Sequence, residues 1–315
     1  MNFSPVASRF LLTLTTGALV GIGFVVAKLL LNAGASQAAV SFVQVAAAAL
    51  ILASVLRLRG NAIPRDRGTV AYFLGAALIG IAAGPLLGNW VLARIPAGVF
   101  TVVVTLSPMF TALFNAALDR RWPAAQTLLG IGLGLLGVLL VLVPRAQAAA
   151  SAHGAHADQA LALVVALGVP MLLAAGNVYR SRRWPQGLAA PAASAGTLIT
   201  QATLLMPVFL ARPHAEVAAL LPLWPLLVLL IGVTIASQLS GSFLQRIAGA
   251  AAYSQIGYVV ALTGIAASAL LFGEALGAGF WPAVALVFTG IVLTNRAVPS
   301  PASTSMAAPQ ALPIR

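Results

Sequence analysis

The chain consists largely of long apolar runs separated by short breaks rich in Pro, Gly and Arg. The runs are apolar on all sides and longer than barrel strands, which would alternate polar and apolar positions over roughly ten residues. Because a backbone in lipid must satisfy its own hydrogen bonds, we expect these runs to be helices. The predicted spans, first to tenth, are residues 10–31, 37–57, 70–93, 96–118, 125–143, 159–180, 190–211, 222–244, 249–272 and 278–296.

The composition excludes a soluble globular protein. Hydrophobic residues make up 61% of the 315 residues, charged residues only 7%, and the mean hydropathy is +1.01. A soluble domain is about a quarter charged, so this chain has too few charges to cover a surface in water. The sequence therefore predicts an all-α membrane protein with ten transmembrane helices. The absence of cysteine excludes disulfides and cysteine nucleophiles.

Basic residues gather in every second break, and this predicts the orientation. With the N-terminus inside, 13 of the 17 Lys+Arg residues fall on the inner side and three on the outer side, while Lys28 lies within the first span. Cytoplasmic loops carry an excess of such residues. We therefore expect a multi-pass protein of the bacterial inner membrane with both termini in the cytoplasm. The charge of +12 is then an orientation signal rather than a nucleic-acid surface. The inner residues are Arg9, Arg57, Arg59, Arg65, Arg67, Arg120, Arg121, Arg180, Arg182, Arg183, Arg246, Arg296 and Arg315; the outer ones are Arg94, Arg145 and Arg212.

The longest break divides the spans five and five. An odd number of spans in each half inserts the second half upside down relative to the first, and residues 98–145 weakly resemble residues 249–296. The expected domains are a five-helix repeat at 1–143, a flexible linker at 144–158, an inverted five-helix repeat at 159–296 and a disordered tail at 297–315. Inverted repeats place a binding site near the bilayer midplane at their interface.

Polar groups inside spans are costly in lipid, so they are the candidates for that site. They lean toward the outer side in the first half and toward the inner side in the second, where Asn177 and Tyr179 also lie. The candidate substrate-binding residues are Lys28, Gln44, Asn89, Trp90, Ser107, Gln201, Gln238, Tyr253, Gln255 and Tyr258, and Pro108 is a candidate kink or gating residue.

Each candidate also has a purely structural interpretation. The ammonium of Lys28 can extend to the outer interface instead of contacting substrate. An amide can simply join two helices by a hydrogen bond, and Trp90 can belong to an interfacial aromatic belt. A proline such as Pro108 frees a backbone carbonyl and kinks its helix whether or not a substrate binds there.

Two further patterns carry no chemistry. Gly132, Gly134 and Gly137 spell G-x-G-x-x-G, but inside an apolar helix they predict close helix packing, through Gly130 and Gly134, rather than a dinucleotide site. The histidines, among them His153 and His156, fall in predicted loops, and no acid pair lies within a span. The sequence therefore predicts no enzyme, no metal and no cofactor.

Four segments resemble the EamA-type members of the drug/metabolite transporter superfamily, and the likeness covers nearly all of residues 10–296. They are the first-helix opening GIGFVVAK, the fourth-helix entry IPAGVFTVVVTLSP ending at Pro108, the Gly-rich stretch 128–138 and the turn LFGEAL at 271–276. The resemblance implies ten helices in two inverted repeats that carry small metabolites, often outward, across the inner membrane. The chain departs from the pattern at Leu118-Asp119, at Gln44, where Arg is frequent, and near Tyr258, where the second half lacks a counterpart of Pro108.

The sequence predicts a secondary transporter, an exporter, of a small neutral, zwitterionic or anionic metabolite such as an amino acid. Holding a cation would favour a buried carboxylate, and Asp119 and Glu274 lie at helix ends. An importer or exchanger of a similar solute, a membrane-embedded enzyme and a non-transporting subunit stay open as alternatives. The expected partners are a small-molecule substrate and the lipid bilayer, without nucleic acid, and we expect a monomer.

Overall fold

The computed structural model describes residues 5–151, 157–211, 218–273 and 279–297, and these contain helices and no strand. A π-helical turn at Ala82–Leu86 joins α3 to α4, and a 3₁₀ turn at Leu221–Leu223 precedes α11. The helices are α1 Pro5–Asn32, α2 Gln37–Leu58, α3 Arg67–Ile81, α4 Leu87–Leu92, α5 Ala97–Val104, α6 Ser107–Leu118, α7 Ala125–Ser151, α8 Ala157–Val165, α9 Gly168–Arg182, α10 Ala190–Leu210, α11 Trp224–Ser254, α12 Ile256–Phe272 and α13 Phe280–Ala297.

The all-α membrane fold is confirmed. Eight helical segments within the described residues are long and apolar enough to cross a membrane, and they coincide with the first eight predicted spans. The ninth and tenth predicted spans correspond to two shorter apolar helices, Ile256–Phe272 and Phe280–Gly290. Large apolar side chains such as Leu50, Leu129 and Leu270 are exposed on the outside of the bundle, where lipid would cover them.

Several spans are interrupted along their length, and proline explains two of these interruptions; a glycine forms a turn between two spans. Pro108 has no N–H to donate to the carbonyl of Val104, so the fourth span breaks between α5 and α6. Pro85 lies inside the π-helical turn of the third span. Gly249 has φ 75° and ψ −176°, and there the chain turns from the eighth span into the ninth.

The linker differs from its prediction. Helix α7 continues through Pro144 to Ser151, so the first part of segment 144–158 is helical, and α8 begins at Ala157. Alanine has the highest helix propensity, and this stretch is rich in it, which explains the extension. Residues 152–156 with His153 and His156, residues 212–217, residues 274–278 with Glu274, and residues 298–315 of the predicted tail lie outside the described residues.

Helices from the two halves pack against each other throughout the bundle. Helix α1 packs on α11 and α12, α9 on α3 and α6, α2 on α10 and α7 on α13. Exchanging the first span with the sixth, the second with the seventh and so on maps this set of contacts onto itself. The inverted repeat stays a prediction, and the contact pattern is the one it requires.

Glycine makes the contact between α7 and α13 close. A Cβ added at Gly290 would collide with the backbone carbonyl of Gly130 and lie 2.6 Å from the nitrogen of Gly134, and one at Gly137 would lie 2.6 Å from the carbonyl oxygen of Ala283. Gly137 and Gly290 therefore allow the two backbones to approach closely, and Gly130 and Gly134 contribute backbone atoms to this contact. A Cβ at Gly134 would itself collide with Met109 of α6.

Candidate functional site

A cavity of about 280 Å³ lies at the centre of the bundle. Residues from the first four spans and from the sixth to the ninth line it, whereas α7 and α13 contribute none of the described lining residues. In the following, the N side is the end of the bundle where α1 begins, near the loops 59–66 and 119–124, and the opposite side is the end near the loops 33–36 and 93–96. The lining residues of the cavity extend from Gln44 and Pro85, in the halves of their spans nearer the opposite side, to Arg180 and Tyr253, nearer the N side.

The interruptions of the helices border this cavity. Val104 and Ser107 flank the break in the fourth span, and Pro85 lies in the π-helical turn of the third. Gly257, in the first turn of α12, packs close to Pro108, where an added Cβ would fall 3.6 Å from the proline Cδ. The helix break therefore lies next to the cavity, and Pro108 itself lies outside the lining.

Five of the predicted substrate-binding residues meet in the lining. They come from five different spans, and Ser107, Gln201 and Tyr253 are buried among them. The Oγ of Ser107 accepts a long hydrogen bond of 3.5 Å from Asn177, and the main-chain carbonyl of Gln238 accepts one of 2.9 Å from Ser194. These five residues are Gln44, Ser107, Gln201, Gln238 and Tyr253.

Lys28 lies outside the lining. Its side chain is buried, and Nζ donates hydrogen bonds to the carbonyl oxygens of Leu92 (2.7 Å) and Ile95 (3.2 Å) at the opposite side of the bundle. These carbonyls end α4 and lead into α5, where the negative end of a helix favours a cation. The ammonium reaches outward as the structural interpretation predicts, but it binds protein backbone there.

Asn89 and Trp90 also take structural positions at the opposite side. The Asn89 amide donates to the hydroxyl of Ser41 at 2.9 Å, and Ser41 in turn donates to the carbonyl of Pro85 at 3.2 Å. The guanidinium of Arg94 lies 4.1 Å from the centre of the Trp90 ring. These contacts hold the second and third spans together and order the loop that follows α4.

Gln255 and Tyr258 do not face the cavity. Gln255 occupies the break before α12, where its side chain is exposed. Tyr258 is half-buried, and its ring packs 6.2 Å from that of Phe288 on α13. The three-residue spacing does place them on a common helix face, as expected, but packing turns that face away from the cavity, while Tyr253 points into it.

The charged residue of the lining was not among the predicted substrate-binding residues. Arg180 on α9 is half-buried, and among the described lining residues it alone is charged. Its position near a span end made it one of the inner orientation charges. The signal that could have found it is its spacing from Asn177, three residues earlier and therefore on the same helix face, since Asn177 also lines the cavity.

Contacts near Arg180 hold α9 against its neighbours at the N side. Gln245 of α11 donates to the carbonyl of Asn177 at 2.7 Å and to the hydroxyl of Ser181 at 2.9 Å. Arg182 forms an ion pair of 2.8 Å with Asp119 at the end of α6. Polar contacts thus join helices at both ends of the bundle, and an apolar lining interrupted by amide and hydroxyl groups lies between them.

Comparisons with known proteins give a family match for the first half of the chain and a similar fold for the whole. Residues 8–143 match the model of the EamA-like transporter family. A solved structure titled only "Crystal structure of protein" aligns over 92% of this chain and 97% of its own, with a TM-score of 0.59 and 17% identity. At that identity the likeness shows the fold alone, but it extends over both halves. Curated protein sequences give no match.

Proposed function

We propose that the chain, whose residues 8–143 match the EamA-like transporter family, moves a small neutral, zwitterionic or anionic metabolite across the membrane by alternating access. The observation that carries the proposal is the central cavity. It is large enough for a small solute, and helices of both halves line it near their interruptions. Broken helices at a repeat interface are a recurring feature of transporter binding sites.

The lining supports transport rather than catalysis. Its polar groups are amides, hydroxyls, one guanidinium and the phenol of Tyr253, and its described residues include no histidine and no carboxylate. General acid–base chemistry depends on such groups. Amides and hydroxyls are instead suited to exchange hydrogen bonds with a solute that must also leave.

We further propose export from the cytoplasm of a bacterial cell, with the protein in the inner membrane and both termini inside. The excess of arginine on the N side supports this orientation. Arg180 and Tyr253 of the lining then lie toward the cytoplasmic side, from which an exported solute would enter. Net direction follows the gradients, so import or exchange would use the same site.

The experiment is flux of radiolabelled metabolites into proteoliposomes that contain the purified protein. We expect saturable, substrate-dependent counterflow for at least one member of a broad panel of amino acids and other small metabolites. Absence of flux across the panel would overturn the proposal in favour of a non-transporting subunit, and chemical conversion of a panel member without flux would favour an enzyme.

A matched pair of glycine variants ties that flux to the cavity. Gly84 lines the cavity and Gly132 lies on the outer face of α7; a Cβ at either would meet no atom within 4 Å. We expect Gly84→Trp to fill the cavity and reduce flux at least about tenfold, as expected when a binding site is blocked. Gly132→Trp, with its indole toward lipid, should retain wild-type flux. Equal flux in both variants would contradict transport through this cavity.

A further inference from the structure

The charge that faces the cavity is held entirely by neutral groups. The Arg180 Nη2 donates to the side-chain oxygen of Asn177 at 3.2 Å, and its Nε donates to the carbonyl of Gly176 at 3.3 Å. The guanidinium carbon lies 5.2 Å from the centre of the Tyr253 ring, within the range of a cation–π interaction. These contacts fix the guanidinium at the wall of the cavity without neutralising it.

Neighbouring arginines show the contrast. Arg182 is paired with Asp119, and Arg183 is exposed at the end of α9. Within the described part of the chain, Arg180 has no carboxylate within 4 Å. Arg182 and Arg183 also supply positive charge at this end of the span. The orientation signal therefore does not explain why Arg180 faces the cavity.

A guanidinium presents five N–H donors in a planar fork that matches a carboxylate. The hydrogen bonds to Gly176 and Asn177 use two of these donors. An ionised group in a partly desolvated cavity favours a ligand of opposite charge. We infer that Arg180 is the carboxylate-binding residue of the cavity and that the substrate is a small organic carboxylate; this inference rests on the proposed transport function.

The rest of the lining narrows the class of carboxylate. Beyond Arg180, the polar side chains include Gln44, Gln201 and Gln238, and no acid is among the described lining residues. An ammonium group of a zwitterion would find amide and hydroxyl oxygens there but no opposite charge. Carboxylates whose other end is uncharged should therefore bind more tightly than the matched amino acids, and cations should be excluded.

The first test changes the ligand, so it does not depend on the folding of any variant. Purified wild-type protein in detergent is titrated with matched trios of an amino acid, its N-acetylated acid and its N-acetylated amide, built on several small side chains. We expect the N-acetylated acid to bind best and the neutral amide at least about tenfold more weakly, the size expected for losing a charge-assisted hydrogen bond. Equal or preferential binding of the amides would overturn the inference.

The second test changes the protein and repeats both binding and counterflow. Arg180→Gln should remove the preference for the acid over its amide, while Arg180→Lys, which keeps the charge but not the fork, should retain part of it. The control is Arg183→Gln, which makes the same charge change at the same end of α9 on an exposed residue. It should keep wild-type preference.

The outcomes separate the inference from the proposed function. Flux that persists in Arg180→Gln with an unchanged acid-to-amide ratio would overturn the role of Arg180 while leaving transport intact. A uniform loss for all ligands, with lowered thermal stability, would mean that Arg180 acts only in the packing of α9. No flux of any ligand in the wild-type protein would overturn the transport function itself.

Discussion

Each end of the bundle contains a cationic side chain with at least partial burial, and the two side chains have different surroundings. At the opposite side, Lys28 is buried and its ammonium donates to the backbone carbonyls of Leu92 and Ile95. At the N side, Arg180 is half-buried, lies on the ring of Tyr253 and faces the cavity. Lys28 lies deeper in its span by sequence, yet Arg180 is the residue positioned to meet a solute.

The difference teaches that depth within a span does not identify a binding residue. The cost of a charge in lipid depends on what surrounds it, and hydrogen bonds to carbonyls at a helix end offset part of that cost. A cation satisfied in this way has little left to offer a substrate. The informative property is the combination of a cavity-facing position and the lack of a charged partner.

The largest expected effect on stability is at Lys28. Lys28→Met keeps the length of the side chain but removes the donor to two carbonyls, and leaving such buried groups unsatisfied costs about 1–3 kcal/mol. We expect a lower midpoint of thermal unfolding in detergent, with the preference for carboxylates unchanged. Wild-type stability combined with weakened carboxylate binding would show that Lys28 binds substrate and does not stabilise the fold.

A smaller effect, on carboxylate binding, is expected at Tyr253, whose ring contacts Arg180. Tyr253→Leu removes the aromatic face beneath Arg180, and a partly exposed cation–π interaction contributes about 0.5–1 kcal/mol, so carboxylates should bind a few-fold more weakly. Tyr253→Phe keeps the ring and should bind them almost as the wild type does. If Phe and Leu weaken binding equally, the hydroxyl rather than the ring acts on the substrate.

The smallest effect is expected at the ion pair beside the cavity. Asp119→Asn removes the partner of Arg182, but both side chains are 38–50% exposed, so solvent screens the interaction and the loss should be at most about 1 kcal/mol. Thermal unfolding should shift little, and the acid-to-amide preference should not change. A changed preference would show that Arg182, and not Arg180 alone, influences the ligand.

Several features of the site were predictable because they follow from the covalent chemistry of single residues. Proline cannot donate a backbone hydrogen bond, so the break beside Pro108 could be placed from the sequence. Glycine has no Cβ, so close helix packing along the Gly-rich fifth span could be expected, whereas its partner, the tenth span, follows only from the structure. Gln44, Gln201 and Gln238 were expected in a cavity because amides are costly in lipid, and all three line it.

Other features depended on how each helix is rotated about its axis. Gln255 and Tyr258 share a face, but contacts of α12 with α1, α5 and α13 determine where that face points. Asn89 was equally plausible as a ligand for substrate, and the nearby hydroxyl of Ser41 decides that it joins two helices. No pattern within one helix predicts which way its faces point, because that depends on the side chains of the neighbouring helices.

By itself, the sequence determined that the chain forms membrane-spanning helices, approximately where they begin and end, and which side carries the positive charge. These properties are sums over local segments, since hydropathy and charge act whatever the partners are. Only the tertiary structure decided that Lys28 binds backbone carbonyls and that Arg180 faces the cavity. That choice depends on packing between segments distant in the chain, which brings the carbonyls of Leu92 and Ile95 to one cation and an aromatic ring to the other.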